Sequence, residues 1–509
     1  MTAMAPSPDL QALFRQSESA LRASDFAGSA QLLQQCLAQA PDFTAARRNY
    51  ASLLLKQLGD PAGAIAQIDI LLQDEPGNAR FHAFRAGALG LTGDYDGALG
   101  AYDVALTLSP ADAGLWLRYG HALKTSGRAG DAQIAYAKSN ALQPSGEAWW
   151  SLADLKTHRF TTNDLSDMRS LMQRSNLQHA DRAMLHFAIA KALEDAGDYR
   201  TAFQHYNSGN TLKRVLQGYN PSELTAYVDR AAALFTPAFF AEHAGGGDPA
   251  PDPIFVVGLP RSGSTLVEQI LASHSAIEGT MELSDMIAVA RAAMGPGPFD
   301  FNSYPGALTN LDPEALRALG ADYLARTRVY RRAGKPLFID KMPNNFVHTG
   351  LIHLILPNAK IIDVRRHPLA CCLSAFKQHF AVGQNFSYDL SHLGHYYADY
   401  VRLMAHVDDA LPGRVHRVFY EDLVADPENE VHRLLAYCGV PFEAQALRFH
   451  ENRRAVRTAS AEQVRRPIFT DGLESWRNFE PWLNPLKATL GPVLEAYPDV
   501  PVTPVTKIR

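Results

Sequence analysis

The chain has little cysteine and no long apolar run. Its four cysteines offer neither a disulfide framework nor a spacing typical of metal ligands: Cys36, Cys371, Cys372 and Cys438. Apolar segments such as residues 253–260 are far too short to span a bilayer. The start of the chain lacks the charged region, apolar middle and small-residue cleavage site of a secretory signal. We therefore expect a cytoplasmic protein without a membrane span.

An excess of basic residues is also missing. Lysine and arginine total 48 against 53 acidic residues, which gives a net charge of −5. A surface that follows nucleic-acid phosphates normally needs a clear basic excess, so we expect no nucleic-acid partner and only a local site for anions. Because no histidine or carboxylate cluster has metal-ligand spacing, we also expect no metal.

The sequence does contain an internal repeat. Prolines recur 35, 34 and 34 residues apart, at Pro41, Pro76, Pro110 and Pro144. A turn recurs with the same period at residues 24–26, 59–61, 93–95 and 127–129, and small residues follow it at Ala64, Ala98 and Ala132. A period of this length predicts stacked helical hairpins, in which glycine ends one helix and alanine allows close helix packing. Residues of about 8–145 resemble tetratricopeptide repeats.

A segment rich in glycine and proline separates helical patterns from strand patterns. Residues 245–252 (GGGDPAPD) cannot continue a helix, and we interpret them as a linker. We assign the repeats to 1–149 and further helices with a degenerate repeat to 150–244, where Gly197-Asp198-Tyr199 matches the earlier turns. The predicted fold is an N-terminal α-solenoid followed, over 253–509, by an α/β domain with a phosphate loop and a central parallel sheet.

A loop typical of phosphate binding follows the linker. Residues 254–257 (IFVV) indicate a buried parallel strand, 258–266 (GLPRSGSTL) a glycine-bearing loop, and 267–271 the start of a helix. This order gathers backbone N–H groups and a helix N-terminus around one anion. The two glycines have the spacing of a nucleoside-triphosphate loop, but Ser264 replaces its lysine, which argues against hydrolysis of ATP or GTP. The cation is instead Arg261, whose guanidinium suits a phosphosulfate.

A second candidate anion site lies further along the chain. Residues 359–364 predict another buried strand, followed by Arg365-Arg366-His367-Pro368 and a helix. Arg366 lies at the end of the strand and Ser374 on the helix, so the intervening turn can bring both side chains to the same phosphate.

The two motifs together, PRSGSTL after one strand and RHPLACCLS after another, resemble the sulfotransferases that use 3′-phosphoadenosine 5′-phosphosulfate, in particular the tyrosylprotein sulfotransferase-like branch. The resemblance covers residues of about 253–485. It implies that the 5′-phosphosulfate is held by Arg261, Ser262, Gly263, Ser264 and Thr265. It also implies that the 3′-phosphate is held by Arg366 and Ser374, and that Tyr420 lies near the nucleotide.

The resemblance extends to a late loop, with departures. Ser460 and Gln463 are similar to residues of the loop that closes over the donor in that family. Ser475 stands where the animal tyrosylprotein enzymes have a lysine, and Gln378 stands where they have an arginine, although Lys377 is adjacent.

The same resemblance implies the catalytic groups. Glu282 lies 21 residues after Arg261, as the catalytic glutamate does in the tyrosylprotein branch, and we interpret it as the general base. Its alternative role is to stabilise the first turn of a following helix. Lys341, after the strand predicted at 336–340, corresponds to the lysine that meets charge on the leaving oxygen, and its alternative is a solvated turn residue. His348 is a reserve candidate for the base, because cytosolic small-molecule sulfotransferases use histidine.

The sequence therefore predicts transfer of a sulfuryl group to a hydroxyl of a protein tyrosine, a carbohydrate or a small phenol. Two other functions stay open, a phosphate-loop kinase or nucleotidase and a repeat scaffold with an inactive nucleotide-binding domain. The repeats either cover or dimerise the enzyme, giving a homodimer, or hold an acceptor polypeptide on their concave face.

Overall fold

The computed structural model describes residues 7–295, 299–452 and 454–501. The chain forms two compact units, Met1–Pro144 and Ser145–Arg509. Helices of the first unit are α1 (Pro8–Arg22), α2 (Phe26–Gln39), α3 (Thr44–Lys56), α4 (Pro61–Asp74), α5 (Ala79–Thr92), α6 (Tyr95–Leu108), α7 (Ala113–Thr125) and α8 (Ala129–Leu142).

The recurring turns of the first unit join these helices into hairpins. Gly59, Gly93 and Gly127 adopt φ values of 65°, 79° and 81°, which a side chain disfavours. The aspartate after the first two of these glycines caps the next helix, as when Asp60 accepts a hydrogen bond from the Gly63 N–H at 2.8 Å. The small residues that follow are fully buried between helices: Ala64, Ala98 and Ala132. The predicted helical-repeat architecture is confirmed.

The second unit begins with helices that precede the sheet. They are α9 (Gly146–Asp154), α10 (Thr162–Met172), α11 (His179–Asp195), α12 (Tyr199–Gln217), α13 (Pro221–Leu234) and α14 (Pro237–Glu242). We call residues 146–242, which contain them, the helical segment.

The centre of the second unit is a five-stranded parallel sheet with the order β2-β3-β1-β4-β5. Its strands are β1 (Pro253–Gly258), β2 (Ile277–Gly279), β3 (Leu337–Lys341), β4 (Lys360–Arg365) and β5 (Val415–Phe419). β1 is buried along its whole length, as expected for the middle strand of a sheet covered on both faces. The predicted parallel α/β domain is confirmed.

Helices follow and connect the strands. The α-helices are α15 (Ser264–Ala272), α16 (Asp285–Ala293), α17 (Tyr304–Ala307), α18 (Pro313–Thr327), α19 (Thr349–Ile355), α20 (Pro368–Phe376), α21 (Leu390–Ala410), α22 (Tyr420–Ala425), α23 (Pro427–Cys438), α24 (Asn484–Leu490) and α25 (Pro492–Ala496). Short 3₁₀ segments lie at Leu308–Asn310, Arg328–Tyr330, Pro343–His348, Asn385–Tyr388, Ala444–Glu451, Gln463–Arg465 and Ser475–Trp482.

The helical segment packs directly against the part of the second unit that contains the sheet. The Phe203 ring stacks on Phe376 and on Trp482, with ring centroids 5.9 and 5.4 Å apart. The Asn210 side-chain amide donates to the Phe376 carbonyl at 2.8 Å, and the Tyr227 hydroxyl donates to the Val347 carbonyl. Aromatic ring pairs contribute about 0.5–1.5 kcal/mol beyond the area that they bury. The segment is therefore part of the same packed body, whereas the predicted domain limits at 149, 245–252 and 253–509 stay predictions.

The ends of three neighbouring strands meet at one edge of the sheet. In the register of the sheet Val256 pairs with Lys341 of β3, and Gly258 pairs with Val364 of β4. The loops after these strands are therefore brought side by side, at the edge where open parallel sheets bind ligands. Within the described part of the chain, none of the helices has the length and apolar character needed to cross a bilayer.

Candidate active site

The loop between β1 and α15 has the strand, loop and helix arrangement predicted for an anion cradle. Two of its glycines are required by close contacts. A Cβ atom on Gly258, at φ 140°, would lie 2.5 Å from the Val364 carbonyl oxygen, and one on Gly263, at φ 106°, would lie 2.6 Å from the Tyr420 ring. No larger residue fits at either position without moving β4 or Tyr420. The N-terminus of α15 begins at Ser264, directly after this turn.

Arg261 lies at the centre of the site. Its φ of 74° is in the left-handed region, which non-glycine residues adopt only where the surroundings hold them. The guanidinium donates to the Ser374 hydroxyl at 3.1 Å, to the Gln463 side-chain carbonyl at 2.8 Å and to the Ser460 hydroxyl. Burial and, second, the charge of Arg366 lower the pKa of Arg261 to about 10, so it is still a cation at neutral pH.

Arg366 meets the same loop from the neighbouring strand. Its guanidinium donates to the backbone carbonyl of Arg261 at 3.2 Å and to that of Gly472 at 2.5 Å. It also lies over the Tyr420 ring, 4.8 Å from the centroid. The loop after β1, the end of β4 and the late loop around residue 472 therefore converge on one point.

These groups line one cavity of about 240 Å³. We call it the basic cavity, because its lining includes six cationic side chains and one carboxylate: Lys156, Lys191, Arg261, Arg366, Lys377, Arg466 and Glu194. Other lining residues named by the sequence analysis are Gly263, Thr265, Ser374, Gln378, Tyr420, Ser460, Gln463 and Ser475. The lining is thus more positive than the chain as a whole, whose net charge is −5, and the prediction that any basic site is local concerns a cavity of this kind.

The Ser262 hydroxyl of the loop is buried and has no hydrogen-bond partner among the described residues. Its side chain is 1% exposed. A buried hydroxyl without a partner is costly, at about 1–3 kcal/mol, and needs a reason. Its position in the predicted anion loop supplies one, since an oxyanion bound there would accept its hydrogen bond.

Glu282 and Lys341 form an ion pair at the end of β3. Lys341 is 1% exposed and donates to the Glu282 carboxylate, whose side chain is 40% exposed. Lys341 also lies 3.9 Å from the Glu268 carboxylate on α15, and Arg454 contacts that carboxylate from the other side at 2.5 Å. A buried ammonium is thus held between the helix of the phosphate loop and an accessible carboxylate. Among the described residues, those that line the basic cavity do not include this pair.

His348 lies in a separate environment. It is 3% exposed, and its Nδ1 lies 2.8 Å from the Tyr304 hydroxyl. Burial lowers the pKa of His348 to about 3, which keeps the ring neutral. Among the described residues, its hydrogen bond and ring contacts are to Tyr304 and Phe299, and it has no hydrogen bond or ion pair with Glu282 or Lys341.

Several groups at the site were not predicted from the sequence. Lys156, Lys191 and Tyr206 reach the basic cavity from the helical segment, and no local motif marks them. Glu268 could have been noticed, because a carboxylate within the apolar face of the loop's helix needs a charged partner when it is buried.

Parts of the chain are similar to known proteins. Residues 253–444 match the model of the sulfotransferase family, and residues 20–87 match a tetratricopeptide-repeat model. An uncharacterized protein of Aquifex aeolicus is 31% identical over 74% of this chain, and the match spans about half (51%) of that protein's length. A putative protein-tyrosine sulfotransferase of Caenorhabditis briggsae is 27% identical over 44% of this chain and 80% of that protein.

A solved sulfotransferase domain, from the olefin synthase of Synechococcus PCC 7002, is 24% identical over 45% of this chain and 89% of that chain, with a TM-score of 0.34. The tetratricopeptide match contains the turns at 24–26 and 59–61, and the sulfotransferase match contains both predicted anion motifs. The chain therefore contains a tetratricopeptide-repeat region followed by a domain of the sulfotransferase family.

Proposed function

We propose that the protein transfers a sulfuryl group from 3′-phosphoadenosine 5′-phosphosulfate to an acceptor hydroxyl. The observation that supports this most is that Arg261 and the pair Arg366 and Ser374 line one cavity. A donor with phosphate-type groups at both its 5′ and 3′ positions needs two such cationic sites close together. The excess of cationic groups in the lining and the unpartnered Ser262 hydroxyl fit a ligand that carries several oxyanions.

The loop after β1 would hold the 5′-phosphosulfate. Its backbone N–H groups, the helix N-terminus at Ser264 and the Arg261 guanidinium are all suited to an anion, and the hydroxyls of Ser262 and Thr265 add further donors. Besides binding the donor, the Arg261 guanidinium would stabilise negative charge on the sulfuryl group during transfer.

Arg366 and Ser374 would hold the 3′-phosphate, with Tyr420 beside them. The contact between the Arg366 guanidinium and the Tyr420 ring fixes the direction of the guanidinium. Charge-assisted hydrogen bonds of about 1.5–3 kcal/mol each would then select a nucleotide with a 3′-phosphate over a simple adenylate.

Glu282 and Lys341 would carry out the proton transfer and the charge stabilisation. When bound, the donor supplies an activated sulfuryl group, so the protein has to position an acceptor hydroxyl and stabilise the leaving oxygen. The accessible Glu282 carboxylate would take the proton of the acceptor hydroxyl. The buried Lys341 ammonium would donate a hydrogen bond to the leaving oxygen. Its hydrogen bond to Glu282 keeps this cation next to the base. This scheme uses no metal ion.

A protein tyrosine is the acceptor we favour. The support comes from the Caenorhabditis relatives, which bear the name putative protein-tyrosine sulfotransferase. Tetratricopeptide-type arrays present surfaces suited to polypeptides, so the repeat region would hold the acceptor chain. A carbohydrate or small phenol as acceptor and a homodimer as assembly are the other outcomes that an acceptor screen and a mass measurement would reveal.

The test combines nucleotide binding with one substitution. Calorimetry should show that adenosine 3′,5′-bisphosphate binds much more tightly than ATP or GTP. Glu282→Gln should lower transfer to tyrosine peptides or p-nitrophenol by about 10²–10⁴-fold, because a general base is lost, and change bisphosphate affinity by less than about twofold. Glu314→Gln, which removes an exposed carboxylate from α18, is the matched control and should leave both unchanged.

Two results would contradict the proposal. Tighter binding of ATP than of the bisphosphate would favour a kinase or nucleotidase. Normal turnover in Glu282→Gln would show that another group removes the proton.

A further inference from the structure

The helical segment supplies part of the wall of the basic cavity. Lys156, Lys191, Glu194 and Tyr206 line it, and all four lie before the sheet in sequence. Two of these charges are balanced locally, since Glu194 pairs with Lys377 at 2.5 Å and Lys191 pairs with Asp195. Lys156 also has a carboxylate partner, Asp154 at 3.0 Å, and differs from the other two in that its ammonium contacts Gln378, which lies just after the second anion motif.

Lys156 is held in place from several sides. Its Nζ donates to the Gln378 side-chain carbonyl at 3.0 Å, lies 3.0 Å from the Asp154 carboxylate and lies 5.1 Å from the centre of the Trp150 ring. Its backbone has a φ of 64°, the left-handed conformation that commonly ends a helix, here α9. These contacts hold the Lys156 ammonium at the wall of the basic cavity.

Gln378 connects Lys156 to the predicted 3′-phosphate site. It is 3% exposed, and its amide also donates to Asp154 at 2.8 Å, so its carbonyl is turned towards Lys156. Gln378 lies four residues after Ser374, whose hydroxyl accepts from Arg261. Two groups therefore lie together at this end of the cavity, the Gln378 amide just after the second motif and the Lys156 ammonium from the helical segment.

We propose that Lys156 is a binding residue for the 3′-phosphate of a nucleoside 3′,5′-bisphosphate, positioned by Gln378. This inference rests on the proposed function, because it assigns a further ligand to the same donor site. The helical segment then takes part in choosing the donor, since a nucleotide without a 3′-phosphate gains nothing from Lys156.

Calorimetry with two nucleotides on the full chain tests this. Lys156→Gln should weaken binding of adenosine 3′,5′-bisphosphate by at least about tenfold, the effect of one charge-assisted hydrogen bond, and binding of adenosine 5′-phosphate by less than about twofold. Lys156→Arg should retain the preference for the bisphosphate. Arg200→Gln removes an exposed charge from the same helical segment and should bind both nucleotides as the wild type does.

A measurement on the wild type guards against a variant that does not fold. Bisphosphate should protect Lys156 from acetylation at least about tenfold more than adenosine 5′-phosphate does, because protection follows the affinity difference. The exposed Lys138 serves as the unprotected reference.

The outcomes separate the two proposals. If the wild type does not bind the bisphosphate, the proposed function is wrong. If the wild type binds it and Arg366→Gln weakens it, but Lys156→Gln does not, then the function stands and the role of Lys156 is wrong. Equal losses for both nucleotides in Lys156→Gln, or equal protection of Lys156 by both, would also overturn the inference.

Discussion

The first unit and the helical segment of the second unit use the same turn but bury different surfaces. Gly93-Asp94 and Gly197-Asp198 both combine a left-handed glycine, at φ 79° and 83°, with an aspartate that caps the next helix. In the first unit the following alanine packs among repeat helices, and the buried rings there contact other repeat residues, as Tyr102 contacts Tyr119.

In the helical segment the rings contact the part that contains the sheet. Phe187 lies 5.6 Å from His379, the residue directly after Gln378, and Phe203 stacks on Phe376. The turn therefore determines that a hairpin forms, and the residues on the open face of the hairpin determine what it packs against. One set of hairpins forms an array of its own, and the other forms part of the wall of the basic cavity.

Truncation should give the largest difference between the two regions. A chain that begins at residue 145 keeps every residue that lines the basic cavity, so it should fold and bind adenosine 3′,5′-bisphosphate with the affinity of the full chain. A chain that begins at 245 loses the packing of Phe203 and Tyr227 as well as Lys156, and it should not give a cooperative unfolding transition. Circular dichroism melting curves and calorimetry would measure both.

The comparison would fail in either of two ways. If the chain from 245 folds and binds nucleotide normally, the helical segment is dispensable. If the chain from 145 loses binding, the first unit has a role in the donor site that the lining residues do not indicate.

Removal of one buried ring from each region should sharpen the comparison. Phe187, 0% exposed, and Phe81, 7% exposed, are a matched pair, and either change to alanine should cost about 3–5 kcal/mol in unfolding free energy. Only Phe187→Ala should also weaken bisphosphate binding, because its ring supports Trp150 and His379 beside Lys156 and Gln378. Denaturant unfolding combined with calorimetry would detect this, and equal binding by the two variants would count against a supporting role for Phe187.

The sequence predicted most of the fold, because each part depends on short-range patterns. The period of the prolines and turns gave the hairpins of the first unit, and apolar runs gave β1, β3 and β4. β2 was not predicted, since Ile277–Gly279 is only three residues long and has no apolar run of its own. Such a short edge strand forms because β3 offers it backbone partners, which is a property of the folded sheet.

The residues of the candidate site could be predicted from the sequence only where they belong to a recognisable motif. The motifs pointed to Arg261, Arg366 and Ser374, and the spacing from Arg261 pointed to Glu282. The cations of the helical segment could not be found in this way. Lys156 comes 222 residues before Gln378 in the chain, and only the packing of the two parts of the second unit places them together.

Removal of the capping aspartate from the turn in each region should produce the smallest effect. It tests whether the two turns contribute equally to stability. Asp94→Ala and Asp198→Ala each remove one cap, so each should lower Tm slightly, by less than either phenylalanine variant, without changing nucleotide affinity.

Hydrogen bonds from the Thr201 hydroxyl and N–H lower the pKa of Asp198. A carboxylate with a lowered pKa in the folded state stabilises the fold above its unfolded pKa of about 4, and this contribution is lost as the pH falls through the folded value. The difference in Tm between the wild type and Asp198→Ala should therefore be full at pH 7 and shrink below about pH 4. A difference that stays constant down to the lowest pH at which the protein folds would mean that the cap acts through packing instead of charge.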